Sequence, residues 1–208
     1  MIDKTGTVRV AIICDQPIIN AGIRRLVESI GSIIIVTDFE SLTEAVVASH
    51  SIQADLAITV FSSRFFFPQV FQTCLLPLPT VVLIHDPTKS ELLTIQAAGI
   101  RGLLLQGASR QDYLDAIETV ASGKTYLSPQ LSSFLEETTL PPGWASLTNR
   151  ERLYFCLVTS GLSSTEITAS MNVSTVAIRS YRRKLYKKME TSDTSGLARI
   201  ATKYGFVP

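Results

Sequence analysis

The run Ser174-Thr175-Val176-Ala177-Ile178-Arg179-Ser180-Tyr181-Arg182-Arg183-Lys184-Leu185-Tyr186-Lys187-Lys188-Met189 decides how this chain is built, because it separates apolar from cationic side chains at helical spacing. Ile178, Tyr181, Leu185 and Met189 recur at intervals of three and four, which on an α-helix makes one buried stripe. Arg179, Arg183 and Lys187 stand four apart elsewhere on the cylinder, and Ser180, Lys184 and Lys188 form the adjacent row. Both Ser174 and Thr175 have N-cap chemistry and neither Gly nor Pro follows before Met189, so the helix is expected to start near Ser174. Six cations on one flank must stay in water or meet phosphate.

Working upstream, Thr148-Asn149-Arg150-Glu151 reads as a cap followed three residues later by a glutamate, opening an amphipathic run to Thr159. Gly161 ends that run, Ser163 or Ser164 caps a short helix holding Ile167 and Met171, and Asn172-Val173 turns the chain into the cationic helix. Helix, turn, short helix, turn, recognition helix is the helix-turn-helix order. On these residues (LTNRE, then GLSSTEI, then a Val-Ser turn and a basic helix) the segment resembles the C-terminal domain of NarL/FixJ (LuxR-type) regulators. The resemblance implies that Arg179, Ser180 and Arg183 face base edges, with Lys184, Lys187 and Lys188 nearer the phosphate backbone. The expected DNA-binding set is therefore Thr175, Arg179, Ser180, Arg183, Lys184, Lys187 and Lys188. Where the family has Thr-Val-Lys, this chain has Ala177-Ile178-Arg179, and Tyr181 replaces the usual His, so base preference does not carry over.

Charge is segregated along the chain. From residue 147 onward there are ten Lys or Arg against four acids, whereas the residues before it carry nine against fourteen. The overall net charge of +1 thus conceals a basic module joined to an acidic one, which is the balance of a DNA-binding domain on a non-binding partner domain.

The 208 residues, 46% of them hydrophobic, suffice for one ordinary domain and one small one. Short apolar runs at Val8 to Cys14, Ile33 to Thr37, Leu56 to Phe61, Val81 to Ile84 and Gly102 to Leu105 alternate with helical patterns near residues 18–30, 41–50, 67–76, 88–98 and 110–121. That alternation predicts an α/β fold, a doubly wound five-stranded parallel sheet, followed by a small all-α domain. Residues 1–131 form the expected first domain, 132–146 the linker around Pro141-Pro142-Gly143, and 147–208 the helix-turn-helix domain. Trp144 is expected to anchor on the last of these.

The first half resembles the receiver domain of two-component response regulators, a flavodoxin-like fold. The likeness rests on Cys14-Asp15-Gln16-Pro17, Ala98-Gly99-Ile100-Arg101-Gly102, Ser122-Gly123-Lys124 and Tyr126-Leu127-Ser128-Pro129. The family accepts a phosphoryl group on an aspartate ending the third strand, beside an acidic pair holding Mg²⁺, a hydroxyl residue and a lysine. Position by position, the phosphoacceptor falls on Val60, the hydroxyl on Ile84, the lysine on Gln106, and the acidic pair on Cys14 and Asp15. Only Asp15 survives, and it is expected to serve as a cap at the following helix. A valine offers no nucleophilic oxygen, so the domain reads as a pseudo-receiver without catalytic or metal residues.

Cys14, Cys74 and Cys156 show no paired spacing and the histidines are His50 and His85, so neither a zinc motif nor a nucleophile-base motif is present. Free cysteines and the lack of a long apolar segment point to the cytoplasm, away from membranes. The aromatic run Phe65-Phe66-Phe67, with Phe61 and Phe71 nearby, is expected to leave some exposed aromatic surface. The sequence reading is a DNA-binding transcription regulator without a cofactor, acting on promoter DNA as a homodimer. Two alternatives stay open: heterodimer formation with another regulator through the pseudo-receiver, or a small molecule sensed near Asp15, Val60, His85 and Gln106.

Overall fold

The computed structural model describes residues 7–61, 69–70, 73, 76–136 and 139–206. Two compact units divide the chain: Met1–Asp86 with Ile100–Ser133, and Pro87–Gly99 with Phe134–Pro208.

In the first unit, β1 (Val8–Ile13), β2 (Ile33–Phe39), β3 (Leu56–Phe61), β4 (Thr80–Ile84) and β5 (Gly102–Leu105) form where the apolar runs stand in the sequence. A sixth strand, β6 (Tyr126–Leu127), adds to the edge, giving the parallel order β2-β1-β3-β4-β5-β6. The expected five strands are thus six. Two residues are too few to carry any alternation, and β6 is held by Tyr126 N–H donating to the Arg101 carbonyl at 2.7 Å and Ser128 N–H to Leu103 at 3.0 Å. Every side chain of β3 and β4 is buried, as central strands covered on both faces require.

Helices α1 (Pro17–Glu28), α2 (Leu42–Val47), α3 (Lys89–Ala98) and α4 (Arg110–Ala121) alternate with the strands in sequence. Ile23 and Val27 of α1, with Tyr113, Ala116, Ile117 and Val120 of α4, complete the core built on Val10, Ile12, Ile58, Val60, Leu83 and Leu104. The helical stretch expected at 67–76 and the Phe65 to Phe67 run lie largely outside the described residues.

Helix α3 belongs to the second unit. Its Ser90, Leu92, Leu93, Thr94, Ile95 and Ala97 are all buried, so it is covered on more than one side. After α5 (Pro129–Glu136) and a 3₁₀ turn at Trp144–Ser146, four helices follow: α6 (Asn149–Thr159), α7 (Ser164–Met171), α8 (Thr175–Lys188) and α9 (Thr194–Lys203). Helix α6 is central to this unit, touching α3, α7, α8 and α9. Trp144 packs edge-on against Phe155 at 5.5 Å and beside Phe206 at 5.0 Å, the anchor expected from the sequence.

Gly102 marks the closest approach in the sheet. A Cβ placed there would lie 2.7 Å from Val81 Cγ2 and 2.9 Å from Val81 Cα, and the latter is backbone that cannot step aside. Gly102→Ala is therefore expected to destabilise the α/β unit by about 1–3 kcal/mol. Gly107→Ala, whose Cβ meets nothing within 4 Å, should leave it near wild type. Urea midpoints followed by far-ultraviolet circular dichroism would separate the two.

Candidate nucleic-acid interface

The cationic helix is assembled by a series of local caps. Thr148 accepts from the Glu151 N–H at 3.3 Å while Glu151 returns a bond to the Thr148 N–H at 2.8 Å, fixing the start of α6. Ser163 and Glu166 repeat the device at α7, with distances of 3.3 and 2.8 Å. Asn172, in the left-handed region at φ 50°, reverses the chain after α7. Of the two candidate caps for α8, Ser174 is the one used, accepting from the Ala177 N–H at 3.2 Å. Thr175 is then the first residue of the helix and stands exposed.

The apolar stripe is buried as its spacing requires: Ile178 and Leu185 face α6 and α7, and Met189 closes the end. Tyr181 is half-buried and its ring lies 6.2 Å from that of Tyr154, nearly parallel. The cations, however, divide into two kinds. Arg182 turns inward, donating from Nε to the Tyr154 hydroxyl at 3.3 Å and from Nη2 to Ser164 Oγ at 3.0 Å. Lys188 Nζ donates to Glu151 Oε2 at 2.6 Å and to the Ser146 carbonyl at 2.8 Å. Burial raises the Glu151 carboxyl, but hydrogen bonds from Lys188 and from the Thr148 amide and hydroxyl outweigh it and hold the group below its ordinary 4.5.

Arg179, Arg183, Lys184 and Lys187 are exposed and, among the described residues, bind no acid and no carbonyl. Ser180 lies half-buried between them. At about 100° per residue, Arg179, Ser180, Arg183 and Lys187 share one face of α8, opposite the apolar stripe. The six-cation flank read from the sequence is therefore four exposed cations, three of them on one face, plus two internal clamps. Sequence reasoning missed both clamps; the signal for Lys188 is its place beside buried Met189, and for Glu151 its place in a cap next to a run of core residues.

In the first unit, Val60 is 5% exposed one residue before the end of β3, and Ile84, at 2%, ends β4 opposite Phe61. Gln106 follows β5, its N–H donating to the Ile84 carbonyl at 2.9 Å. The four sequence positions thus gather where the carboxyl ends of the strands meet, but three of them supply no carboxylate. Asp15 is exposed and does not cap α1: the N-cap is Gln16, without a side-chain bond, and Pro17 occupies the first turn. Asp15 stands one residue ahead of the N-cap, and among the described residues no hydrogen bond joins its carboxylate to the N2 or N3 amide that a cap would receive. Asp55, at the opposite end of β3, is committed to Arg9 through bonds of 2.9, 3.3 and 3.1 Å. Among the described residues no group of three His, Cys, Asp or Glu side chains could hold a metal ion, and no helix is long and apolar enough to cross a membrane.

Residues 145–201 match the family of bacterial regulatory proteins known as the luxR family. The transcriptional regulatory protein MctR of Rhizobium johnstonii is 32% identical over 133 residues, which span 64% of this chain and 62% of MctR. The response regulator UvrY of Escherichia coli K12 is 25% identical over 208 residues, 95% of either chain. The fold is that of the RcsB response regulator of Salmonella typhimurium, with a TM-score of 0.59 at 22% identity over 95% of this chain and 99% of that one. An RcsB–DNA complex superposes with a TM-score of 0.53, also at 22% identity, over 94% and 98%.

Lys188→Ala, which strands the 3%-exposed Glu151 without its ammonium, is expected to destabilise the helical unit by about 2 kcal/mol. Lys187→Ala should stay within about 0.5 kcal/mol of wild type. Because the folded-state Glu151 carboxyl titrates below 4.5, the pair stabilises the fold above that value, and the contribution is lost as pH falls through the folded-state value. Acid unfolding followed by Trp144 fluorescence, with Glu151→Gln shedding this acid dependence, checks the assignment.

Proposed function

We propose that this chain, whose residues 145–201 match the luxR family of bacterial regulatory proteins, is a NarL/FixJ (LuxR-type) transcription regulator that reads promoter DNA with the outer face of α8 without aspartyl phosphorylation. The observation that carries this reading is the set of exposed cations, Arg179, Arg183, Lys184 and Lys187, left without protein partners on one side of a capped helix. Guanidinium groups at Arg179 and Arg183 have the fork that matches guanine O6 and N7, while the lysine ammonium groups suit phosphate oxygens. Ser180 offers a hydroxyl on the same side, and Thr175 offers one at the exposed first turn. Lys188, held by Glu151, acts by fixing the helix instead of meeting the backbone.

Phosphate independence is supported by chemistry at the strand ends. Phosphoryl transfer of the receiver type needs a carboxylate nucleophile, and Mg²⁺ needs several carboxylate or carbonyl oxygens to neutralise the transferring charge. Cys14, Asp15, Val60, Ile84 and Gln106 together supply one carboxylate, so this donor set does not fit the ion. Two copies of the chain would place two recognition helices in successive major grooves about 34–36 Å apart; RcsB is known as dimers bound to DNA, and this reading assigns a homodimer here.

Purified, untreated protein is expected to select a two-fold related site from a randomised DNA pool, and Arg179→Ala with Arg183→Ala together to abolish the selection. Lys187→Ala should weaken all sequences alike and lower the salt slope by about one, whereas Arg179→Ala alone relaxes preference at one base pair. A uniform loss for Arg179→Ala would remove its base-reading role. Selection that appears only after treatment with a small phosphodonor would overturn phosphate independence.

A further inference from the structure

Val176 is 71% exposed, the most open of the large hydrophobic side chains in the helical unit among the described residues. It lies in the first turn of α8, and Arg179, Ser180 and Arg183 stand three, four and seven residues further on. At about 100° per residue these four and Lys187 fall within an arc of about 100°, with Val176 near its middle. The apolar stripe of Ile178, Leu185 and Met189 lies on the other side of the helix. Packing gives no reason for a valine here, and neither does helix formation, since a β-branched residue is among the poorer helix formers.

Resting on the DNA-binding reading above, we propose that Val176 is a specificity determinant that buries its isopropyl group against the C5-methyl of a thymine in the major groove. The base edges there present donors and acceptors at every pair, and the thymine methyl is their one apolar group. An isopropyl group has no hydrogen-bonding capacity and meets a donor or acceptor only at a desolvation cost, so it favours thymine and disfavours the others. The N-terminal turn of a recognition helix is the part that enters the groove, and α8 carries no acid in that turn to repel the duplex. A lone exposed valine elsewhere on a surface would call for no explanation; this one sits amid the side chains that face the bases, where closure of the complex strips its water. Arg179 and Arg183, further along the helix, then read guanine beside that thymine, and the three residues together define a short mixed half-site.

The test uses the full-length protein and the site it selects. Each thymine of that site is replaced in turn by 2′-deoxyuridine, which removes the methyl and leaves every donor and acceptor in place. Wild type is expected to lose about fourfold in affinity at one thymine per half-site, the transfer value of one buried methyl-sized group. Val176→Ala should bind the thymine site more weakly and lose the response to deoxyuridine at that position, with the salt slope unchanged. Val176→Thr, which keeps one methyl, should retain sensitivity to deoxyuridine. A selected half-site without thymine, a wild type indifferent to deoxyuridine at every position, or equal sensitivity in Val176→Ala overturns the proposal while leaving DNA binding intact. A pool that yields no site at all sinks the DNA-binding reading, and the assignment of Val176 with it.

Discussion

The ion pair between Lys188 and Glu151 is the constraint on which the geometry of the helical unit depends. Glu151 is almost wholly buried and already serves the cap of α6, so its remaining charge needs a cation close by. Lys188 provides it from the far end of α8 and donates a second bond to the Ser146 carbonyl. One side chain thereby ties the last turn of the cationic helix to the first turn of the central helix. Arg182 makes a second tie further up, to Tyr154 and Ser164. Two ties on one side of a cylinder fix its rotation, and that rotation leaves Arg179, Arg183, Lys184 and Lys187 pointing to water.

The same economy explains Gly143. Its φ of 81° is left-handed, and a Cβ there would meet the Lys188 carbonyl oxygen at 2.1 Å. The chain before α6 therefore passes directly beside the end of α8, bringing the Ser146 carbonyl within reach of the Lys188 ammonium. Trp144, one residue on, fills the space beside Phe155 and Phe206, with the Arg152 guanidinium 5.7 Å above its ring. An adjacent glycine and tryptophan, with a lysine far along the chain, thus set one junction.

The local devices of this fold were legible in the sequence because they are encoded within four residues. The cap at Thr148, the turn at Asn172 and the stripe of Ile178, Leu185 and Met189 follow from spacing and residue type, whereas the choice of Ser163 over Ser164 and of Ser174 over Thr175 needed the structure. The strands were legible because central parallel strands are continuous apolar runs. What escaped is non-local or very short. Strand β6 has two residues, held by its neighbour and not by any pattern of its own. The partition of α8 into free and clamped cations depends on partners 37 and 28 residues away. The packing of α3 with α6 depends on the tertiary match between Leu92, Leu93 and Ile95 and the buried face that includes Cys156, whose thiol burial pushes up to about 12.

That partition changes what the charge of the helix means. Counting cations along a sequence measures how strongly a segment attracts phosphate, and phosphate contacts give affinity without information. Once Arg182 and Lys188 are assigned to internal bonds, the outer side of α8 is left with two arginines, two lysines, a serine and a valine. Lysines at the C-terminal side of that face suit the backbone, whereas arginines, serine and valine toward its N-terminal turns differ from one another in what they can recognise. A face of uniform charge would bind any duplex alike. Interrupting it with an apolar group reduces the contact area available for phosphate and introduces a preference that no salt concentration can screen, so the composition of α8 is better suited to choosing a site than to holding DNA tightly.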